Sequence, residues 1–157
     1  MRLSQGVEWA AHACVILAAV GQGRALNKAA LAEYHGVPAP YMAKQMQLLS
    51  KAGLVRTSRG KTGGYALARA ADTITLWDVT RAIDGAAPLF RCTEIRQRGP
   101  CPAQREDCRR PCGIAAVFAQ AQAAWRDVLK QTTIADIAAG VASAARPEAV
   151  LQAMQWL

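Results

Sequence analysis

Four thiols fall within 21 residues of this chain, at Cys92, Cys101, Cys108 and Cys112, separated by eight, six and three residues. Thiolates bind iron and zinc and are readily oxidised, so this crowding suggests a metal or redox centre. No Cys-x-x-Cys pair occurs, and the intervals fit no zinc ribbon. Iron–sulfur clusters tolerate such loose loops. A disulfide-bonded loop is the bland alternative, disfavoured because the sequence reads as lacking an export signal and intracellular thiols usually stay reduced.

The surroundings of each donor differ. Cys112 follows Pro111 at the start of an expected helix, where unpaired N–H groups and the helix dipole favour the thiolate. Arg109 and Arg110 act in the same direction. Cys92 follows Arg91 in a loop, and Cys14, within the apolar first helix, reads as a small buried residue. Glu8 and His12 stand four apart on that helix and share a face, with Trp9 beside them. Read from the residues alone, the pair is an ordinary helix-surface feature.

The chain has 157 residues and a formal charge of +8, carried very unevenly. Residues 1–70 hold nine Lys/Arg against Glu8 and Glu33, whereas residues 71–157 are nearly balanced. A basic first half suits a polyanion-binding face there. The longest apolar run, Trp9 to Val20, is interrupted by His12 and is too short to span a bilayer. The expectation is a cytoplasmic protein with no membrane role. No Ser/His/Asp set, phosphate loop or carboxylate pair emerges, so neither an enzyme nor a small-molecule substrate is expected.

The elements that must position these groups are legible in outline. Residues 3–21 read as an amphipathic helix stopped by Gly21 and Gly23. Asn27 is the expected N-cap of a second helix running to about His35. Pro38 and Pro40 make a rigid turn into a third helix, Tyr41 to Ala52, closed by Gly53. Two short helices joined this way form a helix-turn-helix, with Tyr41, Lys44 and Gln45 early on its recognition helix. The period then changes to two short strands, Leu54–Thr57 and Tyr65–Leu67, around a cationic, glycine-rich tip. That hairpin is a wing, and Arg59, Lys61 and Thr62 at its tip are candidate DNA contacts.

Thr75 to Ile83 reads as a further helix, followed by an irregular stretch 86–111. A long helix, roughly 112–130, carries Ile114, Val117, Ala121, Ala124 and Val128 as a narrow seam suited to dimerisation. The tail is expected to hold one final short helix ending near Trp156. The fold class is thus mainly α with a small β wing. Its expected parts are a winged helix-turn-helix DNA-binding domain (1–85), a cysteine-bearing loop (86–111), a dimerisation helix (112–131) and a C-terminal segment (132–157).

Three stretches carry a family likeness: Tyr41-Met-Ala-Lys-Gln-Met, Leu49-Ser-Lys-Ala-Gly-Leu-Val and Gly60-Lys-Thr-Gly-Gly-Tyr. They resemble the IscR/NsrR-type winged-helix iron–sulfur transcription regulators, over roughly residues 1–140. The resemblance implies a homodimeric, repressor-type regulator of double-stranded operator DNA that senses redox state through a 2Fe–2S cluster across the dimer interface. By position, Cys92 and Cys112 of one subunit match two ligands, and Glu8 and His12 of the other subunit match the remaining two. Trp9, next to Glu8, is then the candidate relay of redox state. Histidine in place of thiolate raises a cluster's potential. Two other readings stay open: a 4Fe–4S, nitric-oxide- or iron-responsive repressor using Cys92, Cys101 and Cys108 or Cys112, and a cluster scaffold or electron carrier with no DNA role.

Overall fold

The structure is a computed structural model that describes residues 3–21, 24–60 and 63–156. Three helices come first: α1 (Gln5–Ala19), α2 (Lys28–Tyr34) and α3 (Ala39–Lys51). Two antiparallel strands follow, β1 (Val55–Ser58) and β2 (Gly64–Leu67), and then α4 (Leu76–Asp84). The chain ends with α5 (Gly113–Gln131), α6 (Ile134–Ala144) and α7 (Pro147–Trp156). It divides into two compact units. One comprises the described residues up to Gly85 together with those from Leu129 onward, and the other is Ala86–Val128.

Local chemistry explains the boundaries of the first unit. Asn27 caps α2, its side chain accepting from the Ala30 N–H at 2.8 Å. Thr75 and Asp78 form a reciprocal capping box at the start of α4, and Thr133 and Asp136 repeat it at α6. Gly53, with φ of 71°, takes the left-handed conformation that turns α3 into β1. The strands pair from Val55↔Leu67 to Ser58↔Gly64, and Leu26 adds a bridge to Tyr65 on the other edge of β2.

Leu17, Leu31, Met42, Met46, Leu49, Ile74, Val79 and Ile134 are almost wholly buried and form the centre of the core. Ile134 belongs to the tail, and its N–H bonds the Ile74 carbonyl at 2.8 Å while Leu76 bonds back to Thr132 at 2.9 Å. The tail corrects the expectation of one final short helix. It holds two helices, and α6 packs on α1. Local periodicity does not disclose docking partners as distant in sequence as Ile74 and α1, which is why the stretch read only as a C-terminal segment.

In the second unit, the stretch before α5 is held by two 3-10 turns, Ile95–Gln97 and Glu106–Cys108. Phe90 stacks on Phe118 of α5, ring centroids 4.6 Å apart, and the Leu89 N–H donates to Gln122 at 3.0 Å. The seam residues Ile114, Val117, Ala121, Ala124 and Val128 are all exposed.

A Cβ at Gly64 would overlap the backbone carbonyl of Leu26, which cannot swing aside as a side chain can. Gly64→Ala is therefore expected to lower stability by about 1–3 kcal/mol, measured by urea denaturation. An unchanged midpoint would mean that the Leu26 bridge yields freely.

Candidate metal centre and nucleic-acid interface

Within Ala86–Val128 the fold brings two of the four clustered thiols together. Cys92 Sγ lies 3.8 Å from Cys112 Sγ. Two thiolates sharing one tetrahedral metal at about 2.3 Å each would stand about 3.8 Å apart, so the spacing fits a shared metal atom. Each sulfur also receives a backbone donor: the Glu94 N–H to Cys92 and the Ala115 N–H to Cys112, both at 3.4 Å.

These donors follow from local structure. Cys112 immediately precedes α5, and its carbonyl accepts the Ala116 N–H at 3.0 Å, so its sulfur occupies the position of an N-cap side chain. Glu94 adopts the left-handed conformation, φ 51°, in the turn where its N–H meets Cys92. The Cys112 thiol is held below the usual thiol range, chiefly by the Ala115 N–H and further by Cys92 and the Arg96 charge, against an opposing effect of burial.

Cys101 is exposed, and Cys108 is half-buried in its 3-10 turn. Cys14 is fully buried in α1, and burial pushes its thiol up to about 12, as expected of a structural cysteine. Among the described residues no three or more His, Cys, Asp and Glu side chains gather closely enough to hold a metal ion.

Within the other unit, Glu8 and His12 lie exposed one turn apart on α1. The His12 ring is 5.7 Å from that of His35, just past α2. Burial, and secondarily the charge of His12, lower the pKa of His35. Trp9 is half-buried and meets Tyr41 of α3 edge to face at 5.9 Å. A side chain next to Glu8 thus touches the start of the expected recognition helix.

Tyr41 and Lys44 are exposed on α3. Gln45 is not: only 5 % exposed, it faces inward, where a Cβ on Gly6 would stand 2.8 Å from its Oε1. The expectation that Gln45 reads a base is corrected here. Met42, Gln45, Met46 and Leu49 form one buried stripe at three- and four-residue spacing, and Gln45 completes it. That periodicity was available in the sequence. Gln47, which sequence reasoning missed, is the exposed amide on this helix. On the wing Arg59 is exposed, while Lys61 and Thr62 lie outside the described residues.

A three-helix core, a two-stranded wing and an exposed basic helix face define a winged-helix DNA-binding protein. The profile of the Rrf2 family, described as an iron-dependent transcriptional regulator, matches residues 3–140, and the chain belongs to that family. Relatives agree. An HTH-type transcriptional regulator of Mycobacterium tuberculosis is 34% identical over 155 residues, covering 97% of this chain and 88% of its own. One from Aquifex aeolicus is 31% identical over 137 residues, covering 87% and 91%. Among solved structures the fold is that of CymR, the global cysteine regulator of B. subtilis (TM-score 0.69, 22% identity, 88% and 97% covered). It is likewise that of T. potens IscR (TM-score 0.67, 23% identity, 94% and 95% covered). Among the described residues no helix is long and apolar enough to cross a membrane.

In the reduced, metal-free protein, iodoacetamide should modify Cys112 with a midpoint below the ordinary thiol value of 9.0 and leave Cys14 unmodified until the chain unfolds. Peptide mapping of alkylation against pH measures both. A Cys112 midpoint at or above 9.0 would remove the role given to the Ala115 N–H.

Proposed function

We propose that this chain is a redox-sensing, DNA-binding repressor, most like RsrR within its family, that dimerises through α5 and carries a 2Fe–2S cluster at the subunit interface. The observation that carries this reading is the Cys92–Cys112 sulfur pair, spaced to share one iron atom and supplied with N–H donors, yet offering two protein ligands where a 2Fe–2S cluster takes four. Glu8 and His12 of the second subunit would supply the others, one turn apart on an exposed helix face. Such a cluster supplies one-electron redox chemistry at a potential raised by histidine ligation. The exposed apolar seam of α5 supports the homodimer.

The chain's own residues then link the site to DNA. Trp9 adjoins ligand candidate Glu8 and packs on Tyr41, so a change of packing around Glu8 reaches α3 through one aromatic contact. Tyr41, Lys44 and Gln47 would face base edges and phosphates of double-stranded operator DNA, and Arg59, Lys61 and Thr62 of the wing would meet the backbone or minor groove. Because two recognition helices must enter grooves about one turn apart, a tilt of each lowers affinity steeply. The protein works in the cytoplasm on this reading, and takes no small-molecule substrate.

An anaerobic absorption and EPR spectrum with iron and sulfide assay, before and after dithionite, tests the cofactor. Two irons per cluster and a paramagnetic signal on one-electron reduction are expected. Four irons would bring Cys101 into the site. Trp9→Ala should keep the cluster but remove the redox dependence of operator affinity, expected to be about a hundredfold, equivalent to about 3 kcal/mol. Undiminished dependence in a gel shift would exclude Trp9 as the relay. Arg59→Ala should weaken binding to all sequences alike and reduce the salt slope by about one. Failure of the parent protein to shift any operator fragment would favour an electron carrier or scaffold instead.

A further inference from the structure

A charged pair stands between the two sulfur-bearing arms of the second unit. Arg96 Nε donates to Glu94 Oε1 at 2.6 Å and its Nη2 to Oε2 at 2.9 Å, a two-pronged ion pair. The same Nη2 donates to the Arg110 carbonyl at 3.2 Å, two residues before Cys112. Glu94 in turn gives its N–H to Cys92. A hydrogen-bonded path therefore runs from Cys92 through Glu94 and Arg96 to the arm that bears Cys112.

The two charges reach the sulfurs with opposite effect. Arg96 is a cation tied to the Arg110 carbonyl on the Cys112 arm, and Glu94 is an anion whose own N–H meets Cys92. Both side chains are one-third exposed, so their fields at the site are only partly screened by solvent. A cation beside a redox site favours the form holding one more electron, and an anion disfavours it. In place, each member offsets the other. Removal of either member unmasks the other.

We propose that the Glu94–Arg96 pair holds the reduction potential at the Cys92/Cys112 site between the values either charge alone would impose, as a brace whose two members act on it with opposite sign. The proposal rests on the two-iron reading above. The reaction concerned is addition of one electron from a one-electron donor, a reduced viologen in the test, turning one ferric iron ferrous while no bond of the protein is made or broken.

EPR-monitored potentiometric titration of the cluster-loaded parent, Arg96→Gln, Glu94→Gln and Arg96→Lys separates charge from bracing. Arg96→Gln should lower the midpoint and Glu94→Gln should raise it. Each change should be at least tenfold in the ratio of reduced to oxidised protein at fixed potential, which is about 59 mV for one electron. Arg96→Lys, which keeps the charge and loses the fork, should stay near the parent. Shifts of the same sign, no shifts, or loss of the cluster from both neutral variants would overturn the proposal, because each leaves the pair a purely structural tie. A parent protein that takes up no two-iron cluster would instead overturn the cofactor reading, and this inference with it.

Discussion

The apolar stripe of α1 is the constraint on which the first unit depends. Val7, Ala10, Ala13, Cys14 and Leu17 face inward, and three of the five are small, so α3, α4 and α6 approach closely. With that stripe committed, the 3.6-residue period leaves Glu8 and His12 outward and Trp9 at the boundary, against Tyr41. The packing that stabilises the helix also aims its polar side chains. An insertion of one residue in α1 would rotate the whole set by about 100°.

The sulfur pair is organised differently, by backbone and not by packing. The turn at Glu94 and the first turn of α5, at Ala115, each deliver one N–H to one sulfur. Such donors withdraw charge from thiolates without competing for a metal, as outer-shell hydrogen bonds do in metal sites generally. The likeness to a cysteine regulator and to an IscR is a likeness of fold alone. The signal must therefore be argued from the residues in the loop and on α1.

Much of the architecture was legible because it is written locally. Asn27, the Pro38–Pro40 turn, Gly53, and Thr75 three residues before Asp78 punctuate the chain, and the structure places element boundaries within a few residues of them. What was illegible depended on distant partners. Ile134 enters a core built from the first half of the chain, and nothing near it in sequence says so. Gln45 was misread for another reason: its polarity outweighed its place in the Met42–Met46–Leu49 period. For the candidate site, composition drew attention to four cysteines and the family resemblance singled out Cys92 and Cys112, while their 3.8 Å spacing is read from the fold. The Glu94–Arg96 tie was invisible beforehand, since residues two apart meet only where the backbone turns sharply.

The inward-facing Gln45 has a consequence for how this protein can change over time. Its amide occupies the space that a side chain at position 6 would need. Positions 6 and 45 are thus one joint variable. A larger residue on α1 would require the amide on α3 to move, and a lineage that lost the amide would free position 6 to drift. In descendants of this chain the two helices are expected to vary in step at that point, leaving in their sequences a paired record of one interhelical contact.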